Sequence, residues 1–268
     1  MFVVCNGMQR SGSTLQYNIA RGLCERLGVP TISHGPLDAN TLQSREEVRR
    51  RADDCALHIV KMHDIDPLFI EMGAACDIRF LYIYRDIRDV TVSLNNKKLA
   101  SIEFIVNRLD IAMEAYKTLQ EAGETIRTLW QRYEDVVPDL PTAAMEIADF
   151  LGLEAPHSVI LEIADANSIH TAKMITSNLQ RQIREYVRDV GEHSGRGKEV
   201  REWIRTKKLR FLDKTTLLHY DHISNTEGAT GVWKTQLTLE ELGVLVERYG
   251  WWLEQAGYAY REDASNPG

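Results

Sequence analysis

A glycine loop near the start of the chain constrains the fold more than any other stretch. The apolar run from Phe2 to Val4 precedes it, and apolar residues recur every four positions after it, at 15, 19, 23 and 27. This pattern predicts a strand, a glycine loop and a helix, in that order. Gly7 and Gly12 are spaced as in the motif G-x-x-x-x-G-K-[ST], whose backbone N–H groups hold phosphate oxygens at a helix N-terminus. The stretch therefore predicts an anion-binding loop; the simpler alternative is a turn that needs glycine only for its geometry.

The lysine of that motif is missing here. Position 13 is serine, and the only cation in the loop is Arg10. An arginine at this position can reach a bound anion, but not in the way that the lysine of a nucleoside triphosphatase does. The loop therefore predicts a phosphate-like ligand of a different kind.

Strands and helices alternate along the rest of the chain. Apolar runs predict buried parallel strands, and apolar residues at steps of three and four predict helices. The later predicted strands are 57–62, 79–84 and 125–133. Capping boxes at Ser44 and Thr238 predict the starts of a short charged helix and of the last helix. The other predicted helices are 102–119, one that begins at Pro141, and a polar one over 168–218. The alternation predicts an α/β fold of three layers, α/β/α, around a mainly parallel sheet like that of P-loop nucleoside triphosphatases. We expect a single domain over residues 1–268 with a frayed tail at 260–268.

Composition narrows the possible partners. The chain has 44% hydrophobic and 26% charged residues, as in an ordinary globular protein. Its formal net charge is −7, so no global positive field attracts nucleic acid or an anionic membrane, and we expect neither as a partner. No apolar run is long enough to span a bilayer, and Met1 is followed at once by the first strand, which leaves no room for a signal peptide. The expected location is the cytoplasm.

The four cysteines show no pattern of a redox or metal site. Cys5, Cys24, Cys55 and Cys76 form no C-x-x-C pair and no metal-ligand spacing with the eight histidines. We expect them to be buried, reduced thiols, and we expect no metal.

A second basic motif follows the strand predicted at 79–84. Ligands in α/β sheets bind beyond the carboxyl ends of the strands, so Arg85 is expected to face the same crevice as the glycine loop. Ser93 lies eight residues later, about two helical turns into the next element, where its hydroxyl can join Arg85 at a second anion. The alternative is that the charges of this motif only pair with one another at a helix start.

These two motifs together resemble those of sulfotransferases that use 3′-phosphoadenosine 5′-phosphosulfate (PAPS). The string Q-R-S-G-S-T-L resembles the K-S-G-T-T-W loop that holds the 5′-phosphosulfate in that family, and R-D-I-R-D-V-T-V-S resembles R-N-P-R-D-V-x-V-S, whose arginine and serine bind the 3′-phosphate. PAPS requires two separate anion sites, whereas ATP does not. The donor-binding residues that the resemblance implies here are Gln9, Arg10, Ser11, Gly12, Ser13, Thr14, Leu15, Arg85 and Ser93.

Two further segments extend the resemblance. Lys61-Met62-His63 resembles the K-T-H of cytosolic sulfotransferases, in which the histidine is the catalytic base. An isolated histidine is more often structural, but imidazole titrates near working pH and can take the proton of an attacking hydroxyl. The resemblance implies His63 as the base, with Lys61 and Arg10 offsetting negative charge. Tyr133 stands in a Y-E-D string that lies near the adenine in the family; its ordinary interpretation is an aromatic residue at the edge of the core.

The C-terminal block both matches the family and departs from it. Residues 228–234 resemble R-K-G-x-x-G-D-W-K, which implies Gly228, Gly231 and Trp233 at the donor site. However, Thr226 and Glu227 stand where the family has its basic pair. Either a cation from the basic cluster 196–210 replaces that pair, or nucleotide binding is weaker; that cluster is otherwise a solvated helix face. Leu15 replaces the tryptophan of the family's loop, and no adenine-stacking aromatic can be placed.

The resemblance implies a sulfotransferase that moves a sulfuryl group from PAPS to a hydroxyl or amine of a small molecule or glycan and releases 3′-phosphoadenosine 5′-phosphate (PAP), without a metal. One rival is a P-loop kinase, which would need a lysine at position 13 and a carboxylate for Mg²⁺. The other is a PAP-binding protein without activity, because a fold does not guarantee catalysis. The acceptor and the oligomeric state do not follow from the sequence.

Overall fold

The computed structural model describes residues 1–36, 49–51, 54–73, 75–98, 101–194, 212–223 and 225–258. The predicted helix start at Ser44, the basic cluster 196–210 and the tail 260–268 lie outside the described residues.

Five parallel strands form the central sheet. They are β1 (Phe2–Gly7), β2 (Thr31–Pro36), β3 (Leu57–Lys61), β4 (Ile78–Tyr84) and β5 (Arg127–Arg132). Their order in the sheet is β2-β3-β1-β4-β5, and every neighbouring pair is parallel. Because parallel strands have their carboxyl ends at the same edge, the segments that follow β1, β3, β4 and β5 meet there.

The described helices connect the strands and continue after the last one. They are α1 (Ser13–Arg26), α2 (Pro67–Gly73), α3 (Ile87–Lys98), α4 (Ile102–Ala122), α5 (Tyr133–Val136), α6 (Leu140–Leu151), α7 (His157–Ala166), α8 (Ile169–Ser194), α9 (Trp233–Gln236) and α10 (Leu239–Gln255), with a 3₁₀ turn at Gly123–Thr125. None of them is both long and apolar enough to cross a membrane.

Helices cover both faces of the sheet. Successive side chains of a strand point to opposite faces, so each buried strand contributes to two cores. In β1, Phe2 and Val4 pack in a core with side chains of α2, α3, α4 and α10. Val3 and Cys5 pack in the other core, with side chains of α1, α6 and α7. The predicted three-layer α/β/α fold with a parallel sheet is confirmed.

Local signals at the helix ends are also confirmed. Thr238 Oγ1 accepts from the backbone N–H of Glu241 at 3.2 Å, and the Glu241 carboxylate accepts from the N–H of Thr238 at 2.8 Å, which completes the capping box of α10. α6 ends at Leu151, and Gly152 follows it with a φ of 74°, the left-handed conformation that glycine adopts without strain.

Three expectations are wrong. The sequence pattern predicts no strand at Thr31–Pro36, yet this stretch forms β2 at the edge of the sheet, where it pairs only with β3 and therefore needs no continuous apolar run. The helix expected over 168–218 does not reach its predicted end, because an antiparallel bridge joins Leu212 to His219 across a turn at 214–216. All four cysteines are free, but only Cys5 and Cys24 are buried, whereas Cys55 is exposed and Cys76 is half-buried.

Candidate active site

The loop between β1 and α1 is held tightly against the end of β4. The Ser11 hydroxyl is buried and lies 2.7 and 2.9 Å from the backbone carbonyl oxygens of Met8 and Ile83, so this side chain fixes the loop instead of facing a ligand. Gly12, with a φ of 99°, precedes α1, and a Cβ added there would lie 3.1 Å from a ring carbon of Tyr133. The first N–H groups of α1 have no intrahelical acceptor and are available to an anion.

Two arginines meet above this loop. Arg10 has a φ of 69°, a conformation that residues other than glycine seldom adopt. Its Nε donates to Ser93 Oγ at 2.9 Å, and its Nη2 donates to the backbone oxygen of His222 at 2.8 Å. Arg85, only 3% exposed, donates from Nη2 to the backbone oxygen of Ala229 at 2.7 Å and from Nη1 to that of Arg10 at 3.3 Å. The two predicted anion-binding motifs therefore form one cluster.

The electrostatics of this cluster favour a bound anion. Burial, together with the neighbouring charge of Arg85, lowers the pKa of the Arg10 guanidinium below its ordinary value. Arg85 Nε is buried and finds no hydrogen-bond acceptor among the residues that the structure describes. A buried cationic donor without an acceptor is costly, so a ligand oxygen beside Arg85 would be stabilising.

Tyr133 and Gly228 close the cluster. The Arg85 guanidinium lies 4.3 Å from the centroid of the Tyr133 ring, and the Tyr133 hydroxyl donates to the Gly228 oxygen at 3.1 Å. Burial raises the pKa of Tyr133, although Arg85 and Arg10 oppose this shift, so the phenol stays protonated and can donate. Gly228 has a φ of 81°, and a Cβ on it would lie 2.4 Å from the Tyr133 hydroxyl oxygen, which explains the glycine.

Gly231 and Trp233 anchor the C-terminal loop to α3. The Asp89 carboxylate on α3 accepts from the N–H groups of Gly231 at 2.6 Å and Trp233 at 3.0 Å, while the Arg88 guanidinium lies 3.8 Å from the centroid of the Trp233 ring. Neither residue lines the cavity described below. They hold the C-terminal loop against α3 and so keep Gly228 at Tyr133.

A cavity of about 280 Å³ opens beside the arginines. Predicted site residues in its wall are Arg10, Gly12, Leu15, Arg85, Tyr133 and Gly228. The aliphatic side chains of its wall are Leu15, Val137, Leu140, Ala166, Ile169, Ala172, Ile175, Leu218 and Ile223. Gln9, Ser11, Ser13 and Thr14 belong to the loop and the first turn of α1 but do not line the cavity. The cavity thus combines cations with an apolar wall, as a nucleotide requires.

Several wall residues were missed by sequence reasoning. Asn167, Ser168 and Ile169 lie at the break between α7 and α8, and Asn18 lies one helical turn after Leu15. The interrupted helical pattern was the only signal for the first three, and no local signal marks Asn18. Leu15, at the position of the family's loop tryptophan, and Ile169 give the cavity aliphatic walls.

The Lys61–His63 pair lies at the carboxyl end of β3, on the Gly7 side of the loop and outside the cavity wall. His63 Nδ1 lies 3.0 Å from the Gly7 oxygen, and Lys61 Nζ lies 3.2 Å from His63 Nε2. Because a carbonyl oxygen can only accept, Nδ1 carries the hydrogen in the neutral ring, and the Nε2 lone pair faces Lys61. Nε2 is therefore the atom of His63 that can take a proton.

At Thr226-Glu227, where the sequence lacks the basic pair of the family, the structure shows an ion pair that involves Glu227. Glu227 lines the cavity in a left-handed conformation, with a φ of 53°, and its carboxylate forms an ion pair with Lys173 of α8. Lys173 offsets the negative charge that stands where the family has a cation. In the described ranges, no group of three histidine, cysteine, aspartate or glutamate residues is arranged to hold a metal ion.

Comparisons with known proteins identify the family and the fold. The sulfotransferase domain family matches residues 3–223. A search of curated proteins finds no match. Among solved structures, mouse sulfotransferase SULT7A1 complexed with PAP is similar with a TM-score of 0.56 and 14% identity, over 96% of this chain and 84% of that one. Retinol dehydratase in complex with retinol and PAP is similar with a TM-score of 0.55 and 16% identity, over 97% and 83%. Retinol dehydratase in complex with androsterone and PAP gives 0.51 and 16%, over 99% and 82%.

The structural likenesses lie below 25% identity and show the fold. The family match covers well over half of the 268 residues and includes the glycine loop, His63, Arg85, Ser93 and Tyr133. This chain therefore belongs to the sulfotransferase domain family.

Proposed function

We propose that this protein transfers the sulfuryl group of PAPS to a hydroxyl or amine acceptor and releases PAP. The observation that carries the proposal is the cluster of Arg10, Arg85 and Ser93 beside a cavity with an apolar wall, in which the buried Arg85 Nε has no acceptor among the described residues. PAPS carries anionic groups at both its 5′ and 3′ positions. The loop N–H groups and Arg10 would hold the first, and Arg85 with Ser93 would hold the second.

His63 is the proposed general base. Its Nδ1–H donates to Gly7, which orients the ring and leaves Nε2 to take the proton of the acceptor. In the structure Lys61 Nζ faces that nitrogen at 3.2 Å, so the ammonium has to move away before Nε2 can accept a proton. The sulfuryl group is negatively charged, and Lys61 would turn toward it.

The transfer requires charge stabilisation at the leaving phosphate. The acceptor oxygen or nitrogen forms a bond to sulfur while the bond between sulfur and the phosphate oxygen breaks. Negative charge grows on that phosphate oxygen, and Arg10 with the first N–H groups of α1 would stabilise it as preorganised donors. In-line transfer needs the acceptor atom opposite the bond that breaks, and the loop, with Arg10 at the donor and His63 on its Gly7 side, would hold both reactants for it.

We propose a small molecule that bears a hydroxyl as the acceptor, of the kind represented by the retinol and androsterone bound in the similar structures. A glycan hydroxyl would satisfy the same chemistry. His63 lies outside the nucleotide cavity, which leaves the Gly7 side of the loop for the acceptor.

The direct test is transfer of labelled sulfate from PAPS to a pool of hydroxyl and amine acceptors. Labelled products are expected. Thermal unfolding in the presence of nucleotides separates the rivals, because a ligand stabilises the folded state in proportion to its affinity. PAP should raise the melting temperature more than ATP with Mg²⁺. Equal stabilisation by both would favour a kinase, and strong PAP binding without any transfer would favour a PAP-binding protein without activity.

A further inference from the structure

Asn18 lines the nucleotide cavity and carries a buried acceptor atom. The residue is 6% exposed and contributes to the cavity wall from α1. Its Nδ2 donates to the backbone oxygen of Thr216 at 2.8 Å. Since that oxygen can only accept, the contact fixes the orientation of the amide, with the NH₂ group toward Thr216. The Asn18 Oδ1 atom is left buried, and no hydrogen-bond donor reaches it within the described parts of the chain.

A buried acceptor that no described donor reaches indicates that a ligand supplies the donor. Buried polar atoms in folded proteins are nearly always hydrogen-bonded, because losing water without a replacement partner is costly. Asn18 cannot turn its oxygen toward Thr216 without setting two acceptors against each other. A donor group on a molecule in the cavity would satisfy Oδ1.

The other wall residues indicate which part of the ligand meets Asn18. Arg10 and Arg85 attract the phosphate groups of the nucleotide, whereas Leu15, Ile169 and Ile175 suit an uncharged planar base. Asn18 lies one helical turn beyond Leu15, on the helix whose first turn receives the phosphate. Adenine carries an amino group at C6, which is a donor, whereas guanine carries an oxygen there, which is an acceptor.

We propose that Asn18 Oδ1 accepts a hydrogen bond from the C6 amino group of the donor nucleotide and thereby selects adenine; this rests on the proposed function. Leu15 and Ile169 contact a base through dispersion and shape, which any purine satisfies. Discrimination needs a directional partner, and a site with a buried hydrogen-bonding group rejects an analogue that lacks its counterpart. Asn18 is the residue that determines base specificity.

The test compares two ligands by isothermal titration calorimetry: PAP, and the 3′,5′-bisphosphate of purine riboside, which has hydrogen in place of the amino group. The wild type should bind PAP about tenfold to hundredfold more tightly than the analogue. Asn18→Ala should reduce this preference to within about threefold, because no acceptor is left to satisfy. The ratio is the readout, since any loosening caused by the lost contact with Thr216 weakens both ligands alike.

Asn178→Ala is the control. Asn178 lies on α8, is not among the residues that line the cavity, and its Oδ1 accepts from Arg181 Nη2 at 2.7 Å on the exposed surface, so the variant removes an asparagine without touching the cavity wall. It should keep the wild-type preference. An equal affinity of the wild type for both ligands would overturn the proposal without any variant, and so would a preference that survives Asn18→Ala or disappears in Asn178→Ala. If the wild type binds neither ligand, the proposed function fails as well, and this result differs from all the others.

Discussion

Arg10 and Ser93, 83 positions apart in the chain, are joined by a hydrogen bond of 2.9 Å from Arg10 Nε to Ser93 Oγ. The first residue belongs to the loop after β1, and the second lies on α3 after β4, the neighbouring strand. The contact joins the two regions proposed for the 5′ and 3′ anions. The serine hydroxyl can also donate to an anion while it accepts from Arg10.

The first prediction concerns this hydroxyl. Ser93→Ala should weaken binding of PAP by about tenfold to hundredfold, because it removes a hydrogen bond to a charged phosphate. Adenosine 5′-phosphosulfate, which lacks the 3′-phosphate, should lose much less affinity. Titration calorimetry with both ligands measures the difference.

Thr91→Ala is the control for that experiment. Thr91 is fully buried on the same helix, and its hydroxyl donates to the Ile87 oxygen at 2.8 Å. The variant should lower stability without changing the relative affinity for the two ligands. Equal weakening of both ligands by Ser93→Ala would mean that the substitution damages the structure and that Ser93 has no part in binding the 3′-phosphate.

The second prediction concerns the contact between Gly228 and Tyr133. In Gly228→Ala the new Cβ would lie 2.4 Å from the Tyr133 hydroxyl oxygen and would push the loop away from Arg85. PAP affinity should fall by at least about tenfold, the effect of losing one charged hydrogen bond. Gly152→Ala is the control, because Gly152 has a φ of 74° but nothing within 4 Å of an added Cβ. It should lower the melting temperature and leave PAP affinity intact; an unchanged affinity in Gly228→Ala would count against the proposed position of the loop.

The third prediction concerns stability against pH. Asp110 on α4 accepts from Arg248 Nε at 3.0 Å and Nη2 at 2.7 Å, and from the Tyr249 hydroxyl at 2.8 Å, which ties α10 to α4. The hydrogen bonds from Arg248 lower the pKa of the Asp110 carboxyl below its ordinary value. The unfolded chain therefore binds the proton more readily, so the stabilisation is complete above the unfolded pKa of about 3.9 and is lost as pH falls through the folded value.

Asp110→Asn tests the direction of this change of stability with pH. The variant should melt a few degrees below the wild type at pH 7, and the difference should persist down to about pH 4 and shrink as the pH falls below the unfolded pKa of about 3.9. Added salt should also reduce the difference, because the Asp110 and Arg248 side chains are 41% and 54% exposed and solvent screens the pair. A difference in melting temperature that stays the same from pH 7 to about pH 2 would show that the pair contributes through packing and not through charge.

The sequence predicted the features that short local patterns determine. The glycine loop, the strand ends at Lys61 and Arg85 and the capping box at Thr238 are each written in a few consecutive residues, and the structure has the loop, the strands and the cap where they were expected. The family and the parallel three-layer fold are confirmed for the same reason. The roles of the individual site residues, the single domain and the cytoplasmic location stay predictions.

The features that were missed depend on contacts between distant segments. β2 is a strand because β3 pairs with it, although T-I-S-H-G-P carries no apolar pattern. Asn18 meets Thr216 and Glu227 meets Lys173 only through the fold, since 198 and 54 positions separate the partners. Cys55 is exposed in the bend that precedes β3. Contacts between distant segments cannot be predicted from the spacing of residues in the sequence alone.

In the proposed mechanism, His63 Nε2 takes the proton of the acceptor during sulfuryl transfer. The most direct measurement compares the wild type with His63→Asn. It records the single-turnover rate of sulfate transfer from labelled PAPS to an acceptor found in the screen, with PAP affinity measured in parallel. We expect the substitution to slow transfer by about 10²–10⁴ and to leave PAP affinity within a few fold, because the base acts on the acceptor and not on the donor. Equal rates for the wild type and His63→Asn at equal PAP affinity would contradict the proposed role of His63.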